Sequence, residues 1–185
     1  MEENTIEKTF EEVKNEYENG NKNFTEEYAI FLRDGKFCKK DIELSIKVFE
    51  EALNNNSTAI STISLGFIYR DKQNFEKAFE YYCKAEKFDD TFHPEVIANC
   101  YYYGIGIEKN KTKALEVLKQ INLTNSTKTS IQNANYMIGR IYLEGEIVEK
   151  SMEKARYYLE LANEDNDHVT SQDLLLILGR NKDLI

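Results

Sequence analysis

Apolar residues in this chain recur at separations of three, four and seven, the spacing of one helix face rather than the alternation of a strand. Near the start, Ile6, Phe10, Val13 and Tyr17 form one such stripe, which predicts an amphipathic helix over residues 4–19. Beyond residue 23 a longer period sets in. A small residue stands three places before a leucine or tyrosine in Ala29/Leu32, Gly66/Tyr69, Ala98/Tyr101 and Gly139/Tyr142. A residue able to cap a helix follows each pair: Asp41, Asn74, Asn110 and Ser151. Four positions later comes Ser45, Ala78, Ala114 or Ala155, and seven further on Ala52, Ala85, Ile121 or Ala162. Each copy therefore reads as two amphipathic helices that cross closely at their small residues, with Tyr69, Phe75 and Tyr82 filling the flanking space. Glu43, Glu76 and Glu153 fall in the first turn of the second helix, where its dipole favours negative charge.

The distance from the large anchor to the cap is nine, five, nine and nine residues. The three long connectors carry glycine, at Gly35, at Gly104 with Gly106, and at Gly145, where a helix can end in the left-handed conformation. The short one, Arg70-Asp71-Lys72-Gln73, has none and needs only a tight turn. Gly104-Ile105-Gly106 also raises a phosphate-binding reading. That reading fails, because the further glycines and the preceding strand required by such loops are missing. Gly104 is expected to stop one helix, with Ile107 tucking back before Asn110 opens the next.

These residues resemble Sel-one-like repeats, a family within the tetratricopeptide-like class. Its pattern runs small-x-x-Tyr-x-x-Gly-x-Gly-Val, then Asp-x-x-Lys-Ala and a closing Ala. The stretch ANCYYYGIGIEKNKTKA follows it closely with Asn110 at the Asp position, and GRIYLEGEIVEKSMEKARYYLELA follows it with Ile147 for the second glycine. In AIFLRDGKFCKKDIELS, Phe37 takes that glycine's place and Ser45 stands for Ala. LGFIYRDKQNFEKAFEYYCKA lacks the extension and reads as an ordinary tetratricopeptide copy. The resemblance covers roughly residues 23–180. It implies an all-α, right-handed α-α superhelix of about four hairpins with N- and C-terminal capping helices. It also implies a non-catalytic scaffold or adaptor for a bacterial complex or signalling pathway.

The boundaries expected on this basis are a capping helix over 1–22 and repeats over 23–57, 58–92, 93–130 and 131–167. A final helix, SQDLLLILGR, falls within 168–185, and NLTNSTKTS reads as a mobile polar loop between the third and fourth repeats. Leu174, Leu175 and Leu176 lie in an apolar run that surrounds the last helix, making it a candidate surface for a second copy as well as a half-exposed cap. In such a stack the first helices of the hairpins line the hollow side. The positions expected there are Glu26, Ile30, Arg33, Ile63, Phe67 and Arg70, then Asn99, Tyr102, Tyr103, Tyr136, Arg140 and Glu144. Four of five arginines (Arg33, Arg70, Arg140, Arg180) fall on these helices, which suggests a locally basic groove for an acidic or C-terminal peptide. The carboxylate clamp of some tetratricopeptide proteins does not carry over, since Ile63 and Phe67 stand at its lysine and asparagine sites.

Charge and composition narrow the partner. With 24 Lys+Arg against 33 Asp+Glu the net charge is −9, which disfavours nucleic acid and anionic lipid. The apolar run Leu174–Leu178 is too short to cross a bilayer, and the acidic start lacks a signal-peptide pattern, so a cytoplasmic protein is expected. Cys38, Cys83 and Cys100 form no CxxC pair and read as buried thiols, without a metal or cofactor. His93 and His168 lie near repeat boundaries without the partner that a catalytic dyad or zinc site needs, and His93, before Pro94 at the start of a helix, reads as a turn or capping residue. A cysteine-rich branch of the resembling proteins is linked to β-lactam hydrolysis through paired cysteines, and this chain lacks those pairs. The expectation is a non-enzymatic protein- or peptide-binding module. An immunity-type inhibitor that occludes a toxic effector is the alternative, and a β-lactam hydrolase the remote one.

Overall fold

The computed structural model describes residues 9–55, 58–88, 94–123 and 126–180, with Arg180 through its backbone alone. Ile6, His93 and the Arg180 side chain lie outside the described residues. Among the described residues every regular element is helical. The chain divides into two compact units, Met1–Phe92 and His93–Ile185.

The first unit holds α1 (Phe10–Glu18), a short 3-10 turn (Lys22–Phe24), α2 (Thr25–Asp34), α3 (Ile42–Asn55), α4 (Ala59–Asp71) and α5 (Phe75–Ala85). Helix α1 opens with a capping box the apolar stripe did not reveal: Thr9 Oγ1 accepts from Glu12 N–H, and Glu12 accepts from Thr9 N–H at 2.8 Å. Its apolar side docks on α2 through Val13, which is fully buried, and through stacked rings of Phe10 and Tyr17 on Tyr28. Helices α2 with α3 and α4 with α5 form hairpins, and α3 packs on α4.

The second unit holds α6 (Glu95–Tyr103), α7 (Lys111–Ile121), α8 (Lys128–Glu144), α9 (Met152–Ala162) and α10 (Val169–Arg180). Here α6 pairs with α7 and α8 with α9, while α7 packs on α8 and α10 on α9. The core is continuous through Ala98, Ala114, Leu118, Ile121, Ala134, Ile138 and Ile141.

One closure recurs in all four hairpins. The N–H of the capping residue donates to the carbonyl of the large anchor: Asp41 to Leu32 (2.9 Å), Asn74 to Tyr69 (2.8 Å), Asn110 to Tyr101 (2.7 Å) and Ser151 to Tyr142 (3.1 Å). The cap side chains then accept from the third residue on, Leu44, Lys77, Lys113 and Lys154, as the sequence implies. Gly35, Gly104 and Gly145 end the preceding helices with φ of 70, 74 and 68°, and Gln73 makes the equivalent turn in the short connector at 60°.

The small positions are fully buried at Ala29, Ala98, Ser45, Ala78, Ala114 and Ala155, and Ser45 satisfies its hydroxyl on the Ala29 carbonyl at 2.8 Å. A Cβ on Gly66 would lie 2.6 Å from Tyr82, and one on Gly139 would lie 2.9 Å from Leu159 and 3.2 Å from the Ala155 carbonyl. Several expectations need correction. Phe75 does not fill the hairpin but is 42% exposed, because the cap at Asn74 turns the first residue of α5 outward. Ile107 is 38% exposed rather than tucked back; its counterpart Val148 does pack against the core. The polar segment 122–130 is not all loop: Thr127 caps α8, and residues from Lys128 onward are helical. On α10, Leu178 is buried while Leu176 and Ile177 are exposed, so the helix is a half-covered cap on the fourth hairpin.

Because the helix crossing at Gly139 leaves no room for a side chain, Gly139→Val is expected to destabilise the protein by about 1–3 kcal/mol in urea unfolding. Gly179→Ala, at a helical glycine with nothing within 4 Å of the added methyl, should be neutral or stabilise by at most about 1 kcal/mol.

Candidate partner-binding face

In the first unit, two of the side chains expected to greet a ligand, Glu26 and Arg33, bond the neighbouring helix instead. The Glu26 carboxylate on α2 accepts from Ser61 N–H at 3.1 Å, from Ser61 Oγ at 2.5 Å and from Thr58 Oγ1, so it caps α4 together with Thr58. Arg33 donates to Ser64 on α4 at 3.0 Å and lies against Asp34, whose carboxyl it holds below the ordinary carboxylate range through their hydrogen bond. Arg70 pairs with Asp71 at 2.9 Å and lies over the Phe67 ring, which packs edge-on to Tyr82. Ile30 and Ile63 are half-buried.

The second unit gathers its set more tightly. The Arg140 guanidinium on α8 donates to the Tyr103 hydroxyl on α6 at 2.6 Å and reaches Glu144 at 3.5 Å. It lies 5.5–6.0 Å from the ring centres of Tyr102, Tyr103 and Tyr136. Tyr103 is 51% exposed, whereas Tyr102 is buried and donates its hydroxyl to Glu144. Asn99, one turn before Tyr103, is half-buried, and its buried side-chain oxygen meets no donor among the described residues. Beneath them Lys111, the first residue of α7, bonds Glu144 at 2.5 Å and Glu146 at 2.8 Å, its ammonium over the Tyr102 ring.

Lys111 escaped the sequence reading. It stands just after a cap, at a place that reads as solvated, and only the path of the connector brings Glu144 and Glu146 to it. The buried Glu95 is a second such residue: it accepts from Asn133 on α8 at 3.2 Å, linking successive first helices as Glu26 does. Arg33, Arg70 and Arg140 each stand beside a carboxylate, so none contributes an uncompensated charge.

His168 is a capping residue, its Nδ1 accepting from Ser171 N–H at 3.2 Å and its ring against Tyr136. Cys38, Cys83 and Cys100 form no disulfide; only Cys100 is buried as expected, Cys38 and Cys83 being half-buried, and Cys38 donates to the Phe31 carbonyl. Among the described residues no cluster suits a metal ion, and no helix is long and apolar enough to cross a membrane.

A repeating hairpin closed by the same bond four times is the feature that comparison with known proteins can test. The Sel1 repeat model matches residues 27–57, 65–87, 97–116 and 132–167, in the register of the four hairpins. The chain belongs to the Sel1-repeat family. Among solved structures it is similar to a Sel1 repeat protein from Oxalobacter formigenes, at 20% identity and TM-score 0.67, covering 88% of this chain and 65% of that one. It is also similar to c5321, a protective antigen of uropathogenic Escherichia coli strains displaying an SLR fold, at 20% identity and TM-score 0.72, covering 93% and 36%. These likenesses show the α-α solenoid fold, and the chain spans less than two thirds of either relative. No curated protein matches the sequence. Sel1 repeats generally serve as protein-interaction modules.

The Lys111–Glu144–Tyr102 cluster of this Sel1-repeat chain gives a pH signature. Burial first, and then the bond to Glu144, push the Tyr102 phenol up to about 12. Burial works to lower Lys111, but its bonds to Glu144 and Glu146 outweigh that and raise it. Burial works to raise Glu144, yet the bonds from Lys111 and Tyr102 hold it below its ordinary value. Groups whose folded pKa is raised stabilise the fold below their unfolded pKa and lose that contribution as pH rises; a lowered carboxyl loses its contribution as pH falls. The stability difference between wild type and Tyr102→Phe in urea should therefore be level near pH 7 and shrink between about pH 10 and 12.

Proposed function

We propose that this Sel1-repeat chain is a non-catalytic adaptor that takes a peptide segment of a partner protein on the α6/α8 face of its second unit. Arg140 meets a carboxylate of that segment, and Tyr103 and Tyr136 flank it. The observation that carries the reading is the Arg140 frame. A half-buried guanidinium, set among tyrosines by one short bond to an exposed hydroxyl, retains further N–H donors. Arginine and tyrosine so placed are the side chains in which binding energy concentrates at interfaces. The planar fork is positioned before the ligand arrives, so little side-chain entropy is lost on binding.

Support for the first unit is weaker, because Glu26 and Arg33 already bond α4. The acidic-peptide expectation thus narrows from a basic groove to one arginine whose neighbouring Glu144 is itself held by Lys111 and Tyr102.

Selection of a displayed library of random short peptides on the full chain tests this. Peptides with an Asp, Glu or free C-terminus at a fixed place should emerge. Their binding should fall at least about tenfold with Arg140→Gln and with Tyr103→Ala, while the circular dichroism spectrum is unchanged. Selected peptides that bind both variants as tightly as wild type would place the site elsewhere.

A further inference from the structure

The connector between α2 and α3 carries a side chain that the fold does not need. Phe37 has φ 60° and is 71% exposed. In the third hairpin the same place, two residues after the helix-ending glycine, is held by Gly106 at φ 70°. Glycine adopts that conformation without a Cβ clash, whereas a phenylalanine there raises the backbone energy. Packing returns little for it. The nearest ring, Phe31, is tilted with its centre 6.3 Å away, and the Lys36 ammonium lies 5.3 Å from the Phe37 ring centre.

The charge of this connector also departs from its surroundings. Lys36, Lys39 and Lys40 are all exposed, and of the two flanking carboxylates Asp34 pairs with Arg33 and also feels Lys40, while Asp41 caps α3. The matching stretches carry Glu108 with Lys109, and Glu146 and Glu149 with Lys150. The Met1–Phe92 unit as a whole is acidic, with 13 Lys/Arg against 20 Asp/Glu. The tip is also held in place: the Cys38 thiol donates to the Phe31 carbonyl at 3.3 Å, and Asp41 N–H closes on Leu32 at 2.9 Å. An exposed aromatic side chain is thus presented outward on a fixed, lysine-rich connector.

We propose that this connector is a second docking tip, independent of the Arg140 face, for an acidic segment of a partner protein. Phe37 enters an apolar recess of that segment, and Lys36, Lys39 and Lys40 meet its carboxylates. The complementary charge points to an anionic occupant. Three lysines and one ring hold an anionic bilayer only weakly, and a flat anionic plane also meets the acidic remainder of the unit. A protein segment can meet the tip alone.

The test uses the full chain carrying Arg140→Gln, which silences the face proposed above, as bait for a displayed library of random short peptides. Selected peptides should place an apolar residue among Asp and Glu. They should bind at least about tenfold more weakly after Phe37→Asn, or after Lys39→Glu with Lys40→Glu, and weaken as salt rises. Because asparagine tolerates the left-handed region, Phe37→Asn should leave the folding equilibrium constant level or raise it by up to about fivefold. A tenfold fall in that constant would make the ring a structural residue and overturn the proposal. So would a library that yields no acidic binders, or binders indifferent to both variants. Stronger binding to phosphatidylserine-containing vesicles than to any selected peptide would replace the protein segment with a membrane.

Discussion

A single backbone hydrogen bond, from the N–H of a capping residue to the carbonyl of the large anchor on the preceding helix, organises each hairpin of this protein. It spans nine residues in three hairpins and five in the other, yet the donor and acceptor hold the same structural places at Asp41, Asn74, Asn110 and Ser151. The bond satisfies a carbonyl at the end of one helix with an amide at the start of the next, groups that otherwise need water or side chains. Its closure sets where the second helix begins and so which of its residues face the first. Only small residues fit at the crossing that results, which is why Gly139 lies against Leu159 and Gly66 against Tyr82.

That dependence explains what could be read from the sequence. Cap, small residue and anchor are local signals with fixed spacing, so the hairpins, their glycine stops and the buried positions were legible residue by residue. Helical periodicity also located α1 and α10. What failed depends on the path of a connector rather than on its composition. Phe75 and Ile107 are apolar and stand near the core in sequence, but the turns beside them direct them outward. Phe37 was legible as a replacement for glycine; its left-handed backbone and exposure were not.

Which side chains meet on the first helices was legible in part, and what each of them does much less so. Spacing placed Tyr103, Tyr136 and Arg140 on first helices among the positions expected to face the hollow side, and in the structure Arg140 meets both tyrosines. It could not show that Glu26 caps the following helix, that Tyr102 is buried, or that Lys111 reaches Glu144 and Glu146 from the start of α7. Each of these depends on a partner more than 30 residues away in sequence. The arginines illustrate the same limit. Their abundance on one helix type suggested a basic surface, whereas each of Arg33, Arg70 and Arg140 has a carboxylate beside it. On the face proposed here, recognition would rest on the shape and spare donors of one framed guanidinium more than on net charge.

Site-resolved amide hydrogen exchange in the native protein tests the shared closure most directly. The account predicts that the amides of Asp41, Asn74, Asn110 and Ser151 exchange far more slowly than in an unfolded chain, protected as the adjoining helices are. Exchange of these four amides at the rate of an unstructured peptide, with the helices themselves still protected, would contradict it.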